Sequence, residues 1–300
     1  MRKIIALDTA LLARTPLPPL AADGDKNERG QVLALAGGRA VPGAALLVGR
    51  AALRAGAGKV QLGATSDTAI PLGLAMPEAR IHSVPATRAG EMARTVSEDV
   101  RKAATTSDAV VLGPGMIDEE EAGALALDLL GAKPRAVVLD AGALTGLRAH
   151  RPAFAIGEHV VITPHAGELA KLTEWDAQTI KIAPALHAAK AAQAFGAVVI
   201  LKGAVTHIAA CKGPIFRLQN ACAGLGTSGS GDVLAGLIGG FMARGADPLT
   251  AASWAVSVHA RAGRILAERI GEAGFLAREI ADAIPEALND LQHHVLALSL

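Results

Sequence analysis

Tyrosine is missing from the 300 residues, and Phe and Trp together bring the aromatic share to only 2%. The interior must therefore be filled by small aliphatic side chains, as in a parallel sheet buried on both faces. Cysteine is nearly as scarce. Neither Cys211 nor Cys222 stands in a Cys-x-x-Cys or Cys/His spacing, which excludes a zinc site of that kind and points to a reducing, cytoplasmic setting. Neither sign of charge dominates: 29 Lys and Arg against 28 Asp and Glu leave +1. A nucleic-acid binder would show a basic excess, so the expected partner is a small molecule. Mean hydropathy is +0.36, yet no run of about 18 uninterrupted apolar residues occurs, so no membrane-spanning helix is expected. The opening stretch Met1–Ala21 is broken by Asp8 and Arg14 and does not read as a signal peptide. Repeats, low-complexity tracts and linkers are lacking too. One domain over residues 1–300 is the expectation.

Apolar residues make up 51% of the chain and charged residues 19%, enough for a folded core. Short apolar runs at Val32–Ala36, Val60–Gly63, Ala109–Leu112, Ala136–Leu139, Val160–Ile162 and Ala197–Leu201 have the length of strands. Segments Ala44–Ala55, Glu119–Leu130 and Ala185–Phe195 between them have helical length and composition, and Pro184 suits the start of the last. This alternation predicts right-handed crossovers and a mostly parallel sheet with helices on both faces. Val205–Ala209 and Ile215–Leu218, separated by Lys212-Gly213-Pro214, predict a hairpin at a sheet edge. From Gly231 onward the chain reads as helical almost to its end.

The residues after each strand form a pattern. Gly37-Gly38, Gly113-Pro114-Gly115, Asp140-Ala141-Gly142, Thr163-Pro164-His165 and Lys202-Gly203 follow five of the runs. Each alone is turn chemistry. Ligands of open α/β sheets bind beyond the carboxyl ends of the strands, so five such loops on one rim predict a site there.

The segment Gly224–Asp232 runs glycine and serine straight into the apolar helix Val233–Ile238. Glycines turn backbone amides toward a ligand, and a helix N-terminus favours an anion, so the segment is a phosphate cradle. It lacks the Gly-Lys-Ser/Thr of a Walker loop, and no strand feeds it as a dinucleotide fingerprint requires. Asp232 at the helix start reads either as an N-cap or as a base acting on a substrate hydroxyl; the two roles are compatible. Lys202 alone reads as a strand-end lysine reaching solvent, and His165 as a loop histidine bonded locally.

Gly229-Ser230-Gly231-Asp232 resembles the Gly-x-Gly-Asp anion hole of the ribokinase-like superfamily, and Gly226–Gly236 is similar to the longer signature of NAD(P)H-hydrate dehydratases. Lys26–Gly30 with Leu33–Gly38, Pro42-Gly43-Ala44, Ala51–Gly58, Leu112–Gly115, Thr163–Glu168 and Leu201–Thr206 resemble further segments of that family in the same order, over about residues 23 to 263. Several positions depart from its pattern: Ser228 replaces a glycine, Gly142 stands in place of the second Asp of Asp-Ala-Asp, Ala166 replaces Pro, and Cys222-Ala223 replaces Asn-Pro. The epimerase domain that precedes many members is not expected here.

The resemblance implies a three-layer α/β/α fold and repair of hydrated cofactors. The S form of NADHX or NADPHX would be phosphorylated on its ring hydroxyl with ADP or ATP and Mg²⁺, and phosphate then eliminated. It assigns Asp232 as the base and places Ala44, Gly115, His165 and Asp232 against the hydrated nicotinamide nucleotide. Lys202, Gly203, Ala204, Val205, Thr206, Ser230 and Gly231 fall to the adenine nucleotide, and Asp140 to a water-mediated contact with Mg²⁺. Glu168 reads as a charge at a helix N-terminus. No residue is assigned as a direct metal ligand, no nucleic acid or membrane is expected as a partner, and the Ala-rich helices suit a homo-oligomer. A kinase of a small alcohol or vitamin precursor shares the Gly-x-Gly-Asp feature, as does a non-catalytic nucleotide-binding protein; the Thr-Pro-His and Leu-Lys-Gly-Ala segments favour the dehydratase.

Overall fold

A computed structural model of the chain describes residues 2–20, 25–150, 156–219 and 222–298. Residues 23 and 24, where the family-like span was expected to begin, lie outside the described residues. Elements alternate from the start: β1 (Ile4–Ala6), α1 (Thr9–Arg14), β2 (Gln31–Leu35), α2 (Ala44–Arg54), β3 (Lys59–Thr65), α3 (Ser66–Ala75), β4 (Ala79–Val84) and α4 (Glu98–Thr106). They continue as β5 (Ala109–Leu112), α5 (Glu119–Gly131), β6 (Val137–Leu139), α6 (Ala141–Gly146), β7 (Val160–Ile162), α7 (Ala166–Thr173), α8 (Ala177–Ile182), α9 (Pro184–Phe195) and β8 (Val198–Leu201). The chain then forms β9 (Thr206–Ala209), β10 (Ile215–Leu218), α10 (Ser230–Ala243), α11 (Pro248–Ile270) and α12 (Ala277–Ala297).

Among the described residues the strands form one sheet in the order β1-β10-β9-β8-β7-β6-β5-β2-β3-β4. Only the β8–β9 and β9–β10 pairings are antiparallel. The apolar runs are buried on both faces, and alternate residues serve different cores. Val32, Ala34, Val111, Val138 and Ile200 face the layer of α2, α10, α11 and α12. Leu33, Leu35, Leu112, Leu139 and Leu201 face the layer of α5, α7 and α9. This is the expected three-layer α/β/α arrangement with a mostly parallel central sheet.

Local chemistry sets the helix starts. Asp118 caps α5 by accepting from the Glu121 amide, and three glutamates in its first turn suit the positive end of the helix dipole. Asp247 caps α11 ahead of Pro248. Pro184 itself opens α9. α10 presses against α2 because Gly236 has no side chain: a Cβ there would collide with the Val48 carbonyl. That contact sets Asp232, on α10, beside Ala44, on α2.

One expectation needs correction. The β9–β10 hairpin forms, but it is not the sheet edge, because β1 pairs in parallel with β10 through Ile4 and Ile215. The hairpin's outer backbone groups are thereby satisfied by a segment more than two hundred residues earlier.

Candidate active site

The chain builds β2, β3 and β4 in one direction, then returns to place β5 on the other side of β2. This reversal opens a crevice at the carboxyl ends of β2 and β5, the place where such sheets take ligands. The five loops anticipated from the sequence converge there and bond to one another. The Gly37 amide donates to the Pro114 carbonyl at 2.7 Å, and the Lys202 amide to the Pro164 carbonyl at 2.8 Å. The Thr163 hydroxyl donates to Asp140 Oδ1 at 2.6 Å. Lys202 Nζ donates to the same oxygen at 2.9 Å.

Asp140 ends β6 and is 2% exposed. A buried carboxylate demands partners, and Thr163 and Lys202 supply them. Lys202 also lies 3.7 Å from Glu168 Oε2. Burial alone would lower the lysine, but the Asp140 and Glu168 carboxylates outweigh it and hold the ammonium above its ordinary value. Glu168 thus does more than supply a charge at a helix N-terminus. Its Oε2 accepts from the His165 amide at 2.7 Å, while His165 Nδ1 accepts from the Gly167 and Glu168 amides, forming a capping box on α7. With Nδ1 so engaged, His165 keeps Nε2 3.7 Å from Glu168 Oε1, on a side chain that is 59% exposed.

The segment expected to cradle phosphate runs into a helix as predicted, but with a different cap. Gly229, at φ +85°, is the N-cap of α10, and no side chain caps the helix. Asp232 sits in the first turn, not at the cap. The N-cap reading of Asp232 is therefore corrected: the left-handed backbone that turns the loop into the helix falls on a glycine. The amides of Gly231 and Asp232 have no acceptor among the described residues, as expected of a helix end awaiting an anion. Gly231 faces the buried pair: a Cβ there would lie 3.5 Å from Lys202 Nζ and 3.7 Å from Asp140 Oδ2. Burial raises the Asp232 carboxyl to about 7, the Asp140 charge adds to the shift, and Lys202 opposes it. A carboxylate so tuned exchanges its proton near neutral pH, as a general base must.

Ala44 and Asp232 line one cleft of about 940 Å³ together with Thr227, Ser228 and Gly229. Gly115, at φ +70°, backs onto it, because a Cβ there would strike the Ala44 methyl group. Ser230, Gly231 and Lys202 do not line that cleft, and Gly231 lies next to Lys202. Gly203, Ala204 and Val205 form the turn into β9, and Thr206 opens that strand. Ala44 and Gly115 thus meet at the Asp232 cleft, whereas His165, expected at the same ligand, lies beside Lys202, with which it forms an isolated bridge. A second cavity of about 590 Å³, at the amino ends of β3 and β4 beside Gln61, Arg80 and His82, contains none of the predicted residues.

The departures from the family pattern have local causes in part. Ser228 is exposed in the turn before Gly229, where a hydroxymethyl group meets solvent. Gly142 packs so tightly that a Cβ would collide with the Met116 carbonyl. One contributor was not visible in the sequence. His259, on α11, brings Nε2 to 3.1 Å from both the hydroxyl and the carbonyl oxygen of Ser230. Burial depresses it to about 4, so the imidazole is neutral and buttresses the cradle without adding charge. The two residues are twenty-nine apart on different helices, and no local pattern links them.

Comparison with known proteins agrees with this geometry. A family model described as NAD(P)H-hydrate dehydratase matches residues 32–286. An ADP-dependent (S)-NAD(P)H-hydrate dehydratase of Xanthomonas campestris is 45% identical over 289 residues, covering 96% of this chain and 98% of its own. The bifunctional NAD(P)H-hydrate repair enzyme of Escherichia coli is 32% identical over 91% of this chain and half of its own length. Among solved structures, the ADP/ATP-dependent NAD(P)H-hydrate dehydratase of Bacillus subtilis, co-crystallised with ATP and Mg²⁺, superposes with a TM-score of 0.80 at 28% identity, covering 95% of this chain and 98% of that one. With a family model matching residues 32–286 and a relative 45% identical over nearly its whole length, the chain belongs to the NAD(P)H-hydrate dehydratase family.

Proposed function

We propose that this chain is an ADP-dependent (S)-NAD(P)H-hydrate dehydratase, a hydro-lyase that restores hydrated NADH and NADPH, and that Asp232 is its base. The observation that carries the assignment of Asp232 is its position. It stands on the cleft beside Ala44, one residue from the cradle glycine Gly231, with its carboxyl raised to about 7. Family membership and the names of the relatives support the reaction.

The hydroxyl on the hydrated ring is a poor leaving group, and phosphate is a good one. Asp232 takes the hydroxyl proton as its oxygen bonds to the terminal phosphorus of ADP or ATP, and the bond to the remaining nucleotide breaks. Positioning and charge stabilisation supply most of such a step. The amides of Gly231 and Asp232 face the transferring group, and Lys202 faces the nucleotide phosphates. The ring carbon–oxygen bond then breaks, phosphate departs, and the neighbouring ring carbon loses a proton to restore the dihydronicotinamide. His165, Ala44 and Gly115 hold the hydrated nucleotide, and Gly203 to Thr206 the adenine nucleotide.

Mg²⁺ would arrive on the nucleotide phosphates, where it offsets their charge. The residues present fit it. Thr163 and Lys202 both engage Asp140 Oδ1, so Oδ2, which faces Gly231, remains for a metal-bound water. No helix among the described residues is long and apolar enough to cross a membrane. The free thiols of Cys211 and Cys222 support a cytoplasmic location. Ile70 and Leu74, 75% and 80% exposed on α3, support self-association.

The test is to mix the protein with hydrated NADH, Mg²⁺ and ADP or ATP and follow absorbance. NADH should reappear with stoichiometric phosphate. Phosphorylated product that accumulates without NADH would instead assign a simple kinase.

A further inference from the structure

The cleft beside Asp232 does not end at the reacting ring. It continues as a groove along the outer side of α2, with α12 on its far wall and the end of α3 at its foot. Three guanidinium groups line it, Arg50 and Arg54 from α2 and Arg278 from α12. At a rise of about 1.5 Å per residue, Arg50 stands about 9 Å and Arg54 about 15 Å along the helix from Ala44. Arg278 follows Ala277, whose methyl group abuts Gly229 of the cradle.

Among the described residues the only carboxylate paired with these arginines is Asp282, 3.4 Å from Arg54 and 3.8 Å from Arg50, with each side chain about half exposed. Such exposed pairs are weak, so a phosphate displaces Asp282 at little cost. No ion pair forms on Arg278 among the described residues. Arginine grips phosphate oxygens through two parallel N–H donors, which makes a row of guanidiniums in a groove a site for a linear polyanion.

We propose that this groove binds the diphosphate and adenosine end of the hydrated dinucleotide. Arg50 and Arg278 hold the diphosphate, and Arg54 reads the additional phosphate that distinguishes the NADPH form. This inference rests on the dehydratase reading and extends it from the reacting ring to the rest of the substrate. The groove begins at Asp232 and Ala44, follows α2, and beyond Asp232 carries three arginines against one lining carboxylate, Glu78, a net charge opposite to the ligand's. Remote binding of this kind supplies affinity without touching the reacting atoms.

The hydrated mononucleotide, which lacks the adenosine half, separates the possibilities. With saturating ADP, the wild-type protein should show a KM for it at least tenfold above that for hydrated NADH. R50Q/R278Q should raise the dinucleotide KM at least tenfold, with kcat, ADP affinity and mononucleotide KM within twofold. R54Q should raise KM for hydrated NADPH at least fivefold more than for hydrated NADH. Calorimetric titration with NADPH, the product, reads the groove independently of turnover. A protein that fails to regenerate NADH yet loses NADPH affinity in R50Q/R278Q would refute the dehydratase reading and keep the groove. Equal KM values for mono- and dinucleotide, or groove variants within twofold of wild type, would overturn the proposal. So would a change of oligomeric mass in R50Q/R278Q with unchanged KM, which would assign the groove to a second copy of the chain.

Discussion

Lys202 Nζ lies 2.9 Å from Asp140 Oδ1, joining the ends of two strands through a carboxylate whose side chain is only 3% exposed. Removing one partner of such a pair leaves the other as an uncompensated charge, at a cost of about 3–5 kcal/mol when burial is complete. Lys202→Met should therefore destabilise the protein by about 3 kcal/mol, since the lysine itself is partly exposed. Adding Asp140→Leu should restore most of that loss but none of the ADP affinity. Denaturant titration and calorimetry on the single and double variants check this, and additive losses would show that the pair is not coupled.

Gly142 offers a test of the family departure. A side chain there meets the Met116 carbonyl, so Gly142→Asp, which installs the family's usual residue, should lower stability by about 1–3 kcal/mol. Thermal melting should show the loss before any activity is measured. An unchanged melting curve would mean that the loop after β6 shifts freely, and that glycine is not required there.

The central strands and all five site loops were legible in the sequence because burial on both faces leaves unbroken apolar runs, and each run ends in turn residues. The missed elements lack that signal. β4 is an edge strand with only His82 and Val84 buried, and β1 is three residues long, fixed by pairing with the distant β10. The sequence marks Asp232 as a candidate base, but its place in the first turn depends on the left-handed Gly229, which a run of glycines and serines does not single out. The support His259 gives Ser230 is a tertiary contact between two helices and leaves no trace in either segment.

His165 caps α7 through Nδ1 and leaves a largely exposed imidazole whose Nε2 lies 3.7 Å from Glu168 Oε1. Asparagine also caps well, so His165→Asn should keep the helix and remove only the exposed part of the imidazole. KM for hydrated NADH should rise at least fivefold while the dissociation constant for ADP stays within twofold. Equal losses for both ligands would mean that His165 acts through Lys202, to which its loop is bonded.

The raised carboxyl of Asp232 links pH to stability and to rate with opposite signs. Its folded value, about 7, exceeds the unfolded one, so the folded state holds the proton more tightly. That contribution to stability is complete below about pH 4 and is lost as pH rises toward 7. Activity runs the other way, because a base must be deprotonated to work. kcat/KM should fall about tenfold per unit as pH drops below 7. Rate profiles and melting curves from pH 5 to 8.5 check both, and a flat acid limb would contradict the role of Asp232.

Asp232→Asn tests the account most directly. The substitution keeps the size of the side chain, leaves the Gly229 cap untouched, and removes the charge and the capacity to accept a proton. The variant should melt several degrees higher than the parent at pH 8, with the difference closing by about pH 4, because a costly buried charge is gone. ADP affinity should hold or improve, since a carboxylate near phosphates repels them. NADH recovery from hydrated NADH should fall by about 10²-fold or more. Recovery near the wild-type rate from a folded, ADP-binding variant would show that Asp232 is not the base.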